Sequence, residues 1–127
     1  MNMNKPLHNY LLKLPNAVLD YPFGADIHVY KVEEKVFAIY FKDASSEYIN
    51  LKCDPEKAQQ LRSIFNEITP GYHMNKKHWN TIDLTGDLPI SEIFRHIDHS
   101  YDLVVKKLPK AVKQRLRILH ERLAWLT

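Results

Sequence analysis

The chain of 127 residues is long enough for one domain with one hydrophobic core, and its net charge is +3. Its 45% hydrophobic and 26% charged residues are ordinary for a globular protein and argue against disorder. No apolar run approaches the roughly 20 residues that a membrane span needs, and the N-terminus lacks a signal-peptide core. The single cysteine, Cys53, excludes an internal disulfide. The sequence predicts one cytoplasmic domain over residues 1–127, without membrane association.

The first half of the chain predicts one helix and then three strands. Apolar residues at helical spacing predict a helix over residues 4–14, which Pro15 ends. Residues 19–24 are rich in turn-forming residues and predict a turn. Segments that alternate or are rich in β-branched residues then predict strands at residues 26–32, 35–42 and 47–53. Because the connections between these strands are short, they are expected to form an antiparallel meander.

The second half predicts three helices and at least one strand. Asp54 and Pro55 are a typical N-cap and first helical residue. The helix that they open is predicted to run to Pro70, with Ile64 and Ile68 on its apolar, inward face. A strand and two further helices are predicted at residues 79–84, 89–108 and 110–126. This order predicts an α+β fold, a two-layer antiparallel sheet with helices on one face, plus a C-terminal helix.

Charge is unevenly distributed along the chain. Residues 1–105 hold 11 Lys or Arg and 14 Asp or Glu, whereas residues 106–127 hold seven basic residues against Glu121 alone. A polyanion is therefore expected to meet the C-terminal segment first. The basic amphipathic helix of residues 110–127 can face DNA, a membrane surface or an acidic partner, or pack on its own domain. A homodimer through residues 110–126 is also open. It would use the narrow apolar stripe of this helix, formed by Val112, Leu116, Leu119, Leu123 and Leu126.

The segment GYHMNKKHWNTIDL, residues 71–84, concentrates side chains that bind nucleic acids. Lysines contact phosphates, amide and imidazole groups form hydrogen bonds, and aromatic rings stack on bases. A structural interpretation is also open, in which Trp79 anchors the core while Asn75 and His78 bond the backbone. The candidate nucleic-acid-binding residues of this segment and of the basic tail are Tyr72, Asn75, Lys76, Lys77, His78, Trp79, Lys106, Lys107, Lys110, Lys113 and Arg117.

Catalytic and metal chemistry find little support in the sequence. Cys53 has no neighbouring histidine to activate it, so it is predicted to be a small buried hydrophobe. The pairs His73/His78 and His96/His99 lack the further ligands that a zinc site needs. The three glycines do not form a phosphate-cradling loop. We therefore predict no enzyme activity, no cofactor and no metal site.

Several sequence blocks occur together in a recognisable order. They are LDYPFGADIHVYKVEEKVFAIY (19–40), INLKCDPEKAQQLR (49–62), PGYHMNKKHWNTIDL (70–84), Ser100-Tyr101 and Leu108-Pro109-Lys110. In this combination the chain resembles the MmcQ/YjbR family, small bacterial proteins labelled DNA-binding. The resemblance covers roughly residues 5–116 and is most specific in HMNKKHW. It implies a two-layer fold like that of frataxin-type domains, described as a double-wing DNA-binding motif, in a bacterial cytoplasmic protein, and it implies no catalytic residues.

Three functional hypotheses follow from these observations. The leading one is a non-enzymatic DNA-binding domain of the MmcQ/YjbR type that binds mainly through phosphate contacts, and therefore weakly and with strong salt dependence. The first alternative is a protein-interaction or homodimerisation module that uses the C-terminal helix. The second is a small-ligand or metal-binding protein that uses His73, His78 and the aromatic turn Tyr21-Pro22-Phe23.

Overall fold

A computed structural model describes the backbone of residues 5–126 and the side chains of residues 5–119. The described residues form four helices and six strands, in the order α1 (Lys5–Lys13), β1 (Ala17–Asp20), β2 (His28–Val32), β3 (Lys35–Lys42), β4 (Glu47–Lys52), α2 (Pro55–Ile64), β5 (Ile68–Pro70), β6 (Trp79–Asp83), α3 (Ile90–Lys106) and α4 (Lys110–Leu126). Within this part of the chain, none of the helices has the length and apolar character that crossing a bilayer requires.

The strands form one antiparallel sheet in the order β1-β2-β3-β4-β6-β5. The predicted α+β class and the meander of β2, β3 and β4 are confirmed, and β3 has the predicted boundaries. All four helices contribute side chains to one hydrophobic core on one side of the sheet. The packing of α3 across β2, β3 and β4 forms the centre of that core.

The other side of the sheet, which we call the outer face, carries the alternate strand residues. Cross-strand pairs place Ile39 and Asn50, Phe41 and Tyr48, and Asn50 and Thr81 side by side. Their sequence neighbours Ala38, Tyr40, Ile49, Leu51 and Ile82 belong to the core instead. Because side chains alternate along a strand, the first set points away from the helices.

A β-bulge and a buried serine fix α3 to the sheet. The register of β2 and β3 shifts at Tyr30/Lys31, so that Phe37 has no partner on β2 and both Phe37 and Ala38 are buried in the core. The fully buried hydroxyl of Ser100 donates to the Phe37 carbonyl oxygen at 2.6 Å and accepts from the Lys52 N–H at 2.8 Å. Ser100 of α3 thus bridges β3 and β4 where their hydrogen-bond ladder ends.

Two predicted boundaries are wrong. The predicted turn at residues 19–24 begins within strand β1, which has only four residues and a weak alternating pattern. The helix predicted to reach Pro70 ends at Ile64, because Phe65 adopts extended backbone with φ −114° and ψ 121°. Ile68 is buried as expected, but it belongs to β5 and pairs with Ile82 of β6. Ile64, predicted to face inward, is 67% exposed.

The turn between β2 and β3 predicts a stabilising substitution. Glu33 and Glu34 both have left-handed backbone, with φ 49° and 67°, as in the two-residue hairpin turns that favour Asn-Gly. Since a left-handed non-glycine residue costs roughly 1–2 kcal/mol, Glu34→Gly is expected to raise the free energy of unfolding by about 1 kcal/mol. The same change at Glu56, in the first turn of α2, should lower it by about 0.5–1 kcal/mol. Urea unfolding of both variants checks this; a loss of stability in Glu34→Gly contradicts it.

Candidate nucleic-acid interface

The segment between β5 and β6, residues 71–78, is a loop closed by its own backbone. The Gly71 N–H donates to the Trp79 carbonyl at 2.9 Å, and the Trp79 N–H donates to the Asn75 carbonyl at 3.0 Å. The Asn75 side chain accepts from the Lys77 N–H at 2.9 Å. A Cβ atom at Gly71 would lie 2.7 Å from the Trp79 Cβ, so glycine allows this close approach. The ends of the loop therefore have little freedom.

Arg62 of α2 binds the loop from the helix side of the sheet. Its Nε donates to the Asn80 Oδ1 at 2.7 Å, and its Nη2 donates to the carbonyl oxygens of Lys76 and of Trp79, the latter at 3.2 Å. A planar guanidinium suits several acceptors at once. The sequence does not reveal this role of Arg62, because nothing in the pattern of a surface helix indicates which distant carbonyl groups its side chain will reach.

Two buried polar residues hold Tyr72 over the outer face. Asn50 Nδ2 donates to the Tyr72 carbonyl at 3.0 Å, and the Tyr72 N–H donates to the Thr81 hydroxyl at 2.8 Å. The Thr81 hydroxyl in turn donates to the Asn50 Oδ1. The backbone N–H and C=O of Tyr72 are thus fixed to β6 and β4, while its side chain projects outward with the residue 57% exposed.

Aromatic rings form a row on the outer face that ends at Tyr72. The Tyr48 and Phe41 centroids are 5.2 Å apart and those of Phe41 and Tyr72 are 5.9 Å apart, with 25° between the ring planes in both pairs. The exposed His73 ring lies 4.0 Å from Tyr72 at 52°. His73 has left-handed backbone, with φ 59°. Such local strain marks the loop as a candidate functional segment.

Trp79 is half-buried at the start of β6 and lies outside the hydrophobic core. The structure therefore does not support the part of the structural interpretation in which Trp79 anchors the core. Asn75 does bond the backbone, as the structural interpretation predicts. His78 forms a hydrogen bond through its backbone: its carbonyl oxygen accepts from the Cys53 N–H at 2.7 Å. The loop thus combines bonded backbone with side chains that reach solvent.

The predicted lysines form two groups. Lys76 and Lys77 are exposed in the loop, where the Lys76 amine donates to the Gly71 carbonyl at 3.1 Å. The second group lies where α3 meets α4 and consists of Lys106, Lys107, Lys110 and Lys113. There the Lys113 amine donates to the Lys106 carbonyl at 3.1 Å. Backbone carbonyl oxygens, rather than carboxylates, accept from these two amines.

Lys52 is a further lysine near both groups, and the sequence pattern does not indicate it. It is the last residue of β4 and pairs in register with Trp79, directly after the loop. Burial, and after it the positive charge of nearby Lys107, lower the pKa of Lys52. We call Lys52, Lys76, Lys77, Lys106, Lys107 and Lys110 the basic band. Within the described residues, no carboxylate forms an ion pair with any lysine of this band.

Arg117 faces a different environment from the basic band. Together with Lys113 it lines a cleft of about 480 Å³ between α1, α3 and α4, and Asp98 and Asp102 line the same cleft. Of the predicted binding residues, Arg117 and Lys113 therefore line a cleft that also carries carboxylates.

The apolar stripe of α4 is partly used within the chain itself. Leu116 is buried in the core and Val112 packs against it. Leu123 and Leu126, which complete the predicted stripe, lie outside the residues whose side chains are described. Homodimerisation through residues 110–126 stays a prediction, with the first half of its surface already covered.

The predicted metal and thiol candidates lie at two places: Cys53, His96 and His99 line one small cavity, whereas His73 and His78 belong to the loop. Among the described side chains, no three His, Cys, Asp or Glu residues converge in a way that could hold a metal ion. His96 Nε2 lies 3.2 Å from the Glu92 carboxylate, and His99 Nε2 accepts from the Asp54 N–H at 3.3 Å. Cys53 is buried, as predicted, and burial raises the pKa of its thiol. The aromatic turn at Tyr21 packs against His28, at 5.0 Å between ring centroids.

The chain is a small α+β domain in which the candidate site combines exposed lysines with aromatic rings. The YjbR family model matches residues 12–103, so the chain belongs to the YjbR family, as the sequence blocks predict. The chain is 37% identical over 106 residues to YbdF of Escherichia coli O157:H7, covering 84% of this chain and 87% of YbdF. It is also 37% identical over 86 residues to YjbR of Escherichia coli K12, covering 68% of this chain and 73% of YjbR.

Solved structures of related proteins have the same fold. A crystal structure of a Deinococcus radiodurans protein with the domain DUF419 superposes with a TM-score of 0.80 at 34% identity, covering 87% of this chain and 84% of that one. A crystal structure of a Pseudomonas syringae protein gives a TM-score of 0.69 at 30% identity, covering 80% of this chain and 98% of that one.

Proposed function

We propose that this protein binds DNA, without catalysis, through the basic band beside the 71–78 loop. The observation that carries this proposal is the position of Lys52, which pairs in register with Trp79 directly after the loop. The charge of Lys107, at the end of α3, also acts on Lys52, so Lys52 connects the lysines of the loop with those of the α3–α4 junction. Each group alone is an ordinary cluster of solvated lysines. Together, without carboxylate partners in the described part of the chain, they form the kind of positive surface that attracts a phosphate backbone.

The chemistry of the band predicts affinity without sequence choice. Lysine amines contact phosphate oxygens as point charges and read no base edges. Each neutralised phosphate releases counterions, so full engagement of the six lysines would give a slope of roughly −5 for log K against log salt on duplex DNA. A phosphate near Lys52 and Lys107 also relieves their mutual repulsion, which favours binding at that point of the band.

Charge-removing variants test this proposal. In fluorescence anisotropy with a labelled duplex across a KCl series, Lys52→Gln/Lys107→Gln is expected to weaken binding about tenfold or more and to reduce the salt slope by about 2. Lys5→Gln/Lys42→Gln removes the same charge outside the band. Lys42 is exposed and lies at the far end of the β3–β4 ladder from Lys52, which makes it a matched control.

The control separates a defined site from a general charge effect. Equal weakening by both double variants would mean that only net charge matters, and an unchanged slope in Lys52→Gln/Lys107→Gln would remove the band from the binding surface. The pair Lys76→Ala/Lys77→Ala tests the loop side separately, and it is expected to flatten the slope to a similar extent.

A further inference from the structure

The outer face carries aromatic surface that the basic band does not use. Tyr72, His73 and Trp79 are exposed or half-buried at the loop, and Phe41 and Tyr48 continue from Tyr72 across the sheet. In the described part of the chain the helices pack into the core on the opposite side of the sheet, so none of them covers this row. An uncovered aromatic face of this kind marks an interaction site.

We infer that the outer face at Tyr72 binds single-stranded nucleic acid, with a base stacked on the Tyr72 ring in the place now taken by the His73 ring. This inference rests on the proposed DNA binding and specifies the form of nucleic acid that the site takes. The rings of Tyr48, Phe41 and Tyr72 are nearly parallel, at spacings of 5.2 and 5.9 Å, so a base at the Tyr72 end continues an existing array.

The geometry at the end of the row allows this exchange of rings. His73 meets Tyr72 at 52° rather than in a parallel stack, and both residues are exposed. The His73 side chain can therefore turn into solvent without opening the core. The backbone of Tyr72 cannot move far, because Asn50 binds its carbonyl oxygen and Thr81 binds its N–H. A ring on an anchored backbone, next to a ring that can be displaced, is a preorganised stacking site.

Charge and base accessibility both favour a single strand. In a duplex the faces of the bases are covered by neighbouring base pairs, whereas an unpaired strand offers them to aromatic side chains. Lys76 and Lys77 follow Tyr72 within five residues and supply cations for the phosphates next to a stacked base. At the other end of the row, Asp83 pairs in register with Tyr48 and repels phosphate. The strand is therefore expected to extend from Tyr72 toward the lysines.

Ring-removing and ring-preserving variants test the inference. The probes are labelled oligo(dT) of about ten nucleotides, oligo(U) of the same length and a duplex of equal length. Tyr72→Ala should weaken oligo(dT) binding about 5- to 100-fold and leave duplex binding nearly unchanged, because stacking is lost while the lysines remain. Tyr72→Phe keeps the ring and should bind like the unmodified protein. Tyr21→Ala, which removes another exposed ring, is the control.

His73 supplies an independent check. Because the His73 ring competes with the base for the face of Tyr72, His73→Asn should bind oligo(dT) as tightly as the unmodified protein or more tightly. Asparagine tolerates the left-handed backbone at this position, so the loop is expected to persist. A strong loss of binding in His73→Asn would overturn the proposed exchange of rings.

The outcomes separate this inference from the proposed function. If the lysine variants weaken binding but Tyr72→Ala affects neither probe, or both probes equally, the proposed DNA binding stands and the stacking site falls. If neither set of variants matters, both fail. Tighter binding of the duplex than of oligo(dT) would also overturn the inference. A comparison of oligo(U) with oligo(dT) shows whether the strand is RNA or DNA.

Discussion

Replacement of Arg62 by methionine is expected to lower the free energy of unfolding by about 3 kcal/mol and to weaken DNA binding. The substitution keeps an apolar stem of similar length but removes all donors. The Asn80 side chain and the carbonyl oxygens of Lys76 and Trp79 would then lose their charged partner. Hydrogen bonds to charged groups contribute about 1.5–3 kcal/mol each, and a buried acceptor left alone costs more than an exposed one. Urea unfolding measures the loss of stability.

A matched arginine separates this effect from the loss of any positive charge. Arg95 of α3 is exposed and forms one ion pair with Glu92, at 2.7 Å. Arg95→Met should cost about 0.5 kcal/mol or less. Arg62→Lys keeps the charge but has no planar guanidinium to reach three acceptors. Its loss of unfolding free energy should therefore lie between those of Arg62→Met and Arg95→Met. Similar losses in Arg62→Met and Arg95→Met would show that Arg62 does not hold the loop.

Ser100→Ala is expected to cost about 2–3 kcal/mol, although it removes a single oxygen atom. The hydroxyl accepts from the Lys52 N–H and donates to the Phe37 carbonyl, at a fully buried position. Its loss leaves two buried backbone groups without a partner, and each such group costs about 1–3 kcal/mol, less what the structure regains by relaxing. Urea unfolding gives the total, and hydrogen exchange should show faster exchange of the Lys52 amide.

Ser63→Ala is the control for this prediction. Ser63 lies on the exposed side of α2 and donates to the Gln60 carbonyl at 2.7 Å, a bond that water can replace. Since alanine is the better helix former, the change should be within about 0.5 kcal/mol of neutral. An equally small effect of Ser100→Ala would mean that the end of the ladder closes without the serine.

Sequence patterns predicted the helices and strands whose own residues carry a strong periodic signal. The segment KVFAIYFK of β3 and the long periodic helices α3 and α4 carry enough apolar signal to fix their extent. The edge strand β1 does not, because four residues acquire strand character only by pairing with β2. Ile64 and Ile68 were assigned to one helical face because their spacing of four residues fits a helix. Ile68 is instead buried in strand β5, where it pairs with Ile82 of β6.

The candidate site shows the same division. Local composition identified the loop residues and the α3–α4 lysines, and the sequence blocks identified the YjbR family. It did not identify Arg62, Lys52, Asn50 or Thr81, because their roles depend on chain segments that only the fold brings together. DNA binding, the absence of catalysis, the cytoplasmic location, the homodimer and the frataxin-like, double-wing description stay predictions.

The one thiol of the chain gives the protein its own reporter of local opening. Cys53 is 5% exposed, and its backbone N–H bonds the His78 carbonyl at the base of the loop. Because a buried thiol with a raised pKa is protected from alkylating reagents, modification has to wait until this corner of the molecule opens. The labelling rate of the unmodified chain therefore measures how often β4 and the loop separate, and an oligonucleotide bound at the loop should slow this labelling.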